Sequence, residues 1–178
     1  MALAFIGLGS NLGDGRRNLR AAWEQLGLQP GLQLLALSSP YLSSPVNKPE
    51  WQAAGRRLGK QLFTNAVGVL ETRLTPLELL GVMHQVEKNL GRDRVRSPDR
   101  TIDLDLLYYD DLVLEGPDLV LPHPELAKRF FVLAPLEELA PDRPHPLLGL
   151  TTRQMRQCLP AGEETLVRRF SWDEDLPG

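Results

Sequence analysis

The sequence predicts an α+β fold in which helices cover an antiparallel sheet, and three observations carry that prediction. Apolar runs short enough for strands alternate with stretches of helical apolar spacing. Glycine, proline and polar clusters punctuate the junctions between them. The order of the elements as far as Tyr109 is β-α-β-β-α-β.

Ala2 to Leu8 is an apolar strand that ends at Gly9-Ser10-Asn11, with turn chemistry following through Gly13, Asp14 and Gly15. Leu19, Ala22, Trp23 and Leu26 recur at helical spacing until Gly27 stops the pattern. Leu32 to Tyr41 reads as a second strand and Leu62 to Thr72 as a third, with a polar, proline-containing loop from about Ser43 to Lys60 between them. Thr75-Pro76-Leu77-Glu78 is a helix start, because Thr75 caps, Pro76 suits the first turn and Glu78 reaches back to close a capping box. Leu79, Met83, Val86 and Leu90 then mark one apolar face before Gly91 ends the helix. Thr101 to Tyr109 is a strand, and Asp110-Asp111 turns it into a short partner strand, Leu112 to Leu114.

This order is the split βαβ, or ferredoxin-like, pattern, a sandwich of two helices on one face of a four-stranded sheet. Strand and helix elements are added at the C-terminus: a helix around Phe130 to Ala140 and a short one near Thr152 to Leu159. The expectation is a single domain over 1–178, with a core of about 1–140 and an appendage of about 141–178.

Composition narrows the function. With 42% hydrophobic and 24% charged residues and no apolar run long enough for a bilayer, a membrane protein is excluded as an expectation. The apolar start of the chain has no basic region ahead of it, which argues against a signal peptide and for the cytoplasm. The single cysteine, Cys158, forms no internal disulfide and is expected to be a buried, inert thiol. A net charge of -3 and a pI near 5.6 argue against a nucleic-acid surface. Arg92, Arg94, Arg96 and Arg100 nevertheless lie close together, and a short basic cluster on an acidic chain suits a small polyanion such as a nucleoside triphosphate.

Asp103 and Asp105 stand two apart within Thr101-Ile102-Asp103-Leu104-Asp105-Leu106-Leu107. In a strand both carboxylates share one face, while Ile102, Leu104 and Leu106 share the other. Two close carboxylates repel unless a cation lies between them, and hard oxygen ligands of this kind suit Mg²⁺ completed by water and substrate phosphates. A solvated strand face or a salt bridge to the arginines is the plainer reading of a bare Asp-x-Asp. The adjacent arginines favour phosphoryl transfer, which depends on positioning and charge neutralisation.

Five segments, in order, resemble the hydroxymethyldihydropterin pyrophosphokinase family. They are Gly7-Leu8-Gly9-Ser10-Asn11-Leu12-Gly13-Asp14, Phe63-Thr64-Asn65-Ala66-Val67, Gly91-Arg92-Asp93-Arg94, Arg100-Thr101-Ile102-Asp103-Leu104-Asp105-Leu106-Leu107, and Leu121-Pro122-His123-Pro124 with Arg129 and Phe131. The resemblance implies the ferredoxin-like fold and a step of folate biosynthesis. In that step pyrophosphate passes from ATP to the hydroxymethyl group of 6-hydroxymethyl-7,8-dihydropterin, with AMP leaving. It implies that Asp103 and Asp105 hold two Mg²⁺ ions, and that Arg92 and Arg94 act in catalysis. Glu87, Arg92, Arg94, Arg96, Arg100, His123 and Arg129 are implied as ATP contacts, with a solvated helix face as the alternative for Glu87. Ser43, Ser44, Val46, Phe63, Asn65 and Phe131 are implied as pterin contacts, the amide reading the polar edge of the ring and the aromatics stacking on its faces. The partners are then ATP and the pterin alone, with no nucleic acid or membrane, for a monomer.

Two departures from the family stand out. The loop after Arg96 reads Ser97-Pro98-Asp99-Arg100, without the tryptophan the family commonly has there, and Arg56-Arg57-Leu58-Gly59-Lys60 lengthens the loop before Asn65. Ser43 to Lys60 and Arg92 to Arg100 lack an apolar face and are expected to act as lids, with Trp51 as a probe in the first. A different Mg²⁺-dependent phosphoryl or nucleotidyl transferase is the competing enzyme reading, and Phe63 and Asn65 oppose it by offering a site for a flat heterocycle. An RNA-binding ferredoxin-like module needs exposed aromatics among basic residues across the sheet, and the sequence has no such motif.

Overall fold

The computed structural model describes residues 1–44, 62–91, 101–160 and 167–173. Strand β1 (Ala2–Ser10) leads into helix α1 (Gly15–Gly27), followed by β2 (Leu32–Leu37), β3 (Tyr41–Ser43) and β4 (Phe63–Thr72). Helix α2 (Pro76–Asn89) and strand β5 (Asp103–Tyr109) complete the predicted core. A hairpin of β6 (Leu114–Glu115) and β7 (Val120–Leu121), a 3-10 turn at Leu126–Lys128, helices α3 (Phe130–Leu139) and α4 (Thr152–Gln157) and a last strand, β8 (Val167–Arg169), follow.

The strand predicted from Leu32 to Tyr41 is two strands, because its middle leaves the ladder. Ser38 donates its N–H to Val67 O, and its hydroxyl accepts from Val67 N, so a side chain replaces a ladder partner. Pro40 has no N–H to offer. β2 also carries a bulge between Leu34 and Ala36, which returns Leu37 to the face shared by Leu32 and Leu34. The partner strand expected at Leu112 to Leu114 does not pair with β5 either. Leu114 and Glu115 form a separate two-stranded sheet with Val120 and Leu121.

β1 lies between β4 and β5, antiparallel to both. The far edge of β4 takes β2 and β3 end to end, and β3 in turn takes β8. Helices cover both faces of this sheet, whereas the sequence pattern placed two on one face. On the first, Leu19, Ala22, Trp23 and Leu26 of α1 and Leu79, Met83 and Val86 of α2 pack on Ala4, Ile6, Leu8, Ala66, Leu70, Leu104 and Leu106. On the second, Leu133 and Leu136 of α3 and Met155 of α4 pack on Phe5, Val67, Val69, Leu107 and Tyr108. Each fully buried leucine of these clusters contributes roughly 1.5–3 kcal/mol of transfer free energy. A bulge at Phe5/Ile6 in the β1–β5 ladder lets Leu107 and Tyr108, adjacent in sequence, both reach the second cluster.

Cys158 is exposed, not buried as expected. Helix α4 is short and turns only Thr152 and Met155 inward, which leaves its C-cap, Cys158, at the surface. Among the described residues, no helix is long and apolar enough to cross a membrane.

Candidate active site

The second face of the sheet is left open where β1, β4 and β5 run past helix α3, and the predicted site residues collect there. Gly9 pairs with Asn65 on one side and with Asp103 on the other, and Asn65 pairs with Tyr41. Residues directly opposite each other in a sheet project to the same face. Asp103, Gly9, Asn65 and Tyr41 therefore form one row across four strands. The next row holds Asp105, Gly7 and Val67. Strand spacing puts the Asp103 and Asn65 backbones about 10 Å apart.

Two glycines form the floor between them. A side chain at Gly9 would stand 3.6 Å from Asn65 Oδ1, and one at Gly7 would meet the Leu107 side chain at 3.4 Å. The Gly-x-Gly of the first segment thus leaves a trough between the carboxylates and the amide. The sequence alone places these glycines in the first strand and its end, and in the first family-like segment; their place in the trough comes from cross-strand register, which a single sequence does not disclose.

Asp103 and Asp105 alternate with buried Leu104 and Leu106, as the two-residue period predicts. Both carboxylates are partly exposed on one face, with the side chain of Asp105 43% accessible. His123 reaches this pair from the other direction. Its N–H donates to Leu107 O, which fixes the Leu121-Pro122-His123-Pro124 loop against β5. Its ring Nδ1 accepts from Glu125 N at 3.2 Å, so a neutral ring carries its proton on Nε2, which lies 3.9 Å from Asp105 Oδ1.

Glu87, for which a solvated helix face was the alternative to an ATP contact, is not solvated. It is 1% exposed, and its Oε1 accepts from Leu104 N at 2.8 Å. Its position on α2 turns it toward the sheet with Val86 and Met83, so it anchors the peptide between the two aspartates from behind. Arg129 forms an ion pair with Glu125 at 3.5 Å and lies over the Phe131 ring at the start of α3. Lys128, through its hydrogen bond, and then Arg129 hold the Glu125 carboxyl below the usual carboxylate range.

At the other end of the trough, Asn65 is 6% exposed. Its Nδ2 donates to Ser43 Oγ at 2.9 Å and to Tyr41 O at 3.4 Å. These bonds orient the amide and leave Oδ1 as the group above Gly9. Phe63, two residues earlier, shares its face, and Ser43 pairs with Phe63 across the β3–β4 ladder. Tyr41 donates to Glu138 Oε2 of α3, and burial followed by that hydrogen bond pushes its pKa up to about 12. Asp103, Asp105, His123, Asn65, Ser43 and Phe63 are thus brought to one face. Phe131 stands at the first turn of α3, the helix that packs on β4 and β3. Ser44 follows directly after β3. Val46, Arg92, Arg94, Arg96, Arg100 and Trp51, and most of both expected lids, lie outside the described residues.

Carboxylates suited to a hard cation and an oriented amide suited to a flat polar ring belong together in a phosphoryl-transfer enzyme with a heterocyclic acceptor. The profile of the 7,8-dihydro-6-hydroxymethylpterin-pyrophosphokinase family matches residues 5–141, and the chain belongs to that family of ATP-dependent pyrophosphokinases. It is 39% identical over 143 residues to a 2-amino-4-hydroxy-6-hydroxymethyldihydropteridine pyrophosphokinase from Methylorubrum extorquens, covering 80% of this chain and 85% of that protein. It is 35% identical over 161 residues to the folic acid synthesis protein FOL1 of Dictyostelium discoideum. That match covers 90% of this chain and 23% of the relative, so the chain spans about a quarter of its length. A crystal structure of a Plasmodium falciparum HPPK-DHPS variant with pterin and p-hydrobenzoate superposes with a TM-score of 0.68 at 16% identity, covering 94% of this chain and 47% of that one. That likeness is one of fold: a mixed α/β chain built on an antiparallel sheet.

Proposed function

We propose that the chain transfers pyrophosphate from ATP to the hydroxymethyl oxygen of 6-hydroxymethyl-7,8-dihydropterin in folate synthesis, with AMP as the second product. The observation that carries this reading is the single row Asp103–Gly9–Asn65. It sets a cation-suited pair and a ring-suited amide on one face with no side chain between them. The strand order β5-β1-β4-β2 of the core supports the ferredoxin-like assignment.

Asn65 Oδ1 is an acceptor whose direction is fixed by Ser43 and Tyr41, so it favours a ring edge that offers N–H donors. Phe63 and Phe131 are the proposed stacking partners. The donor set of Asp103 and Asp105, two hard oxygens sharing one partly exposed face, fits magnesium that keeps water and phosphate as its other ligands. We assign two such ions to the ternary complex. Bound there, magnesium would neutralise triphosphate oxygens as charge shifts toward AMP.

In the transfer, the hydroxymethyl oxygen forms a bond to the β-phosphorus, and the bond from that phosphorus to the oxygen retained by AMP breaks. The Asp105 oxygen not engaged with a cation takes the hydroxyl proton, and His123 Nε2–H, beside Asp105, steadies an adjacent phosphate oxygen. Glu87 keeps β5 in place through Leu104 N. Arg92, Arg94, Arg96, Arg100 and Arg129 are proposed as triphosphate contacts on sequence resemblance. A chain with one cysteine, acting on two small molecules, suits a cytoplasmic monomer.

Asp103→Asn and Asp105→Asn test the site. Each is expected to lower pterin-dependent AMP formation by about a hundredfold or more while the melting temperature stays the same or rises. Near-normal turnover at saturating magnesium in either variant would remove that residue from the metal-binding role.

A further inference from the structure

The strand β8 lies beyond the last residue matched by the family profile, yet it forms the outer edge of the sheet beside the ring-binding end of the trough. Its register continues the functional row. Tyr41, which pairs with Asn65, pairs on its other side with Arg169, and Ser43 pairs with Val167. β3 has three residues, the short end of the usual range, and β8 gives it a second ladder beside the one it forms with β4.

Side chains reinforce that ladder on both flanks. Arg169 Nε donates to Ser39 Oγ at 3.0 Å, and its Nη2 reaches Glu138 Oε1 at 3.4 Å, the carboxylate that also accepts from Ser39 N and from Tyr41 OH. Phe170, 5% exposed, donates its N–H to Pro40 O, and Trp172 Nε1 donates to Ser38 O at 3.1 Å. From the helical layer, Arg16 lies over the Phe170 ring and donates to Trp172 O, while Arg20 pairs with Asp173 and lies over the Trp172 ring. The backbone from Ser38 to Ser43 is therefore held from outside at Ser38, Ser39, Pro40, Tyr41 and Ser43.

We infer that β8 with Phe170 and Trp172 is a positioning strap for the heterocycle site: by fixing β3 on β4 it fixes Ser43 and Tyr41 O, and through them the direction of the Asn65 amide. This inference rests on the proposed reading that Asn65 faces the pterin. Among the described residues the carboxylate end of the trough lies on β5, the opposite edge of the sheet and four strands from β8, so ATP binding should not depend on the strap.

Arg169→Ala and Trp172→Phe in the full-length chain separate this role from general stabilisation. Arg169 is exposed, and Trp172→Phe keeps an aromatic ring under Arg20 while deleting the bond to Ser38 O and trimming the ring's packing on the first core. Three quantities would be measured in each: pterin affinity by calorimetry, affinity for Mg²⁺ with a non-hydrolysable ATP analogue, and the NMR resonances of the Asn65 side-chain amide without ligand. The expected result is pterin affinity reduced about three- to tenfold, nucleotide affinity within about twofold of wild type, and shifted Asn65 amide resonances. Unchanged pterin affinity and amide resonances in both variants, with wild type binding pterin, would overturn the strap alone. Equal losses for both ligands would also overturn it, in favour of a purely structural edge strand. Failure of the wild-type chain to bind pterin would overturn the functional reading and the strap with it.

Discussion

Glu87 shows how far a residue's role depends on burial that its neighbours in sequence do not disclose. It falls on α2 one position after buried Val86, and helical spacing alone allowed it either face. The fold turns it inward onto Leu104 N, between the two aspartates. Glu87→Ala leaves that buried N–H without its acceptor, which is expected to cost about 1–3 kcal/mol and to lower turnover by letting Asp103 and Asp105 drift. Urea denaturation and steady-state assays on the same preparation check both effects. Unchanged stability would mean that Leu104 N finds another acceptor. The shared face of the aspartates was legible because a strand's period of two is strict, whereas Asn65 and Phe63 were singled out by the resemblance of their segment to the family. The places of Tyr41, Gly7 and Gly9 in the trough were not legible, since they come from register across strands. Cys158 was misread as buried because cysteine usually is, whereas here only Thr152 and Met155 of its short helix reach the core.

Elements with strong local chemistry were the most legible. Thr75 accepts from Glu78 N while Glu78 accepts from Thr75 N, so the capping box at α2 is formed as its sequence predicts. The second strand failed as a single element because Ser38 and Pro40 break it from within, and β6 paired with β7 because two residues leave little to set their register. Close packing between elements was also hidden. Gly68 on β4 lies under α1, where an added Cβ would stand 2.3 Å from the Trp23 ring. Trp23 is 9% exposed and sits in the first core, with little room to withdraw. Gly68→Ala is therefore expected to destabilise the protein by about 1–3 kcal/mol through overpacking, measurable as a lower melting temperature. A melting temperature equal to wild type would show that α1 can move away from the sheet without loss.

At the scale of the whole molecule, the C-terminal third does more than append. It supplies α3 and α4 as the second helical layer, and β8 as the sheet's outer edge. His145 belongs to that layer. Its ring is buried against Tyr108, and Nδ1 accepts from Leu147 N and Leu148 N. Burial lowers its pKa below the ordinary histidine value of about 6.5. The unfolded chain therefore binds this proton more readily than the folded one, so the stabilisation is present above about pH 6.5 and is lost as pH falls below it. Unfolding by urea should show a loss of stability from pH 7 to pH 5 that His145→Asn reduces. An identical pH slope in that variant would assign the effect to other groups. The activity proposed for the whole molecule is the transfer of a pyrophosphoryl group as one unit to a pterin alcohol. The most direct measurement follows ATP, Mg²⁺ and 6-hydroxymethyl-7,8-dihydropterin with the wild-type chain by phosphorus NMR. Transfer as one unit gives AMP and the pterin diphosphate in equal amounts; ADP with a pterin monophosphate, or ATP consumption that does not depend on the pterin, would rule it out.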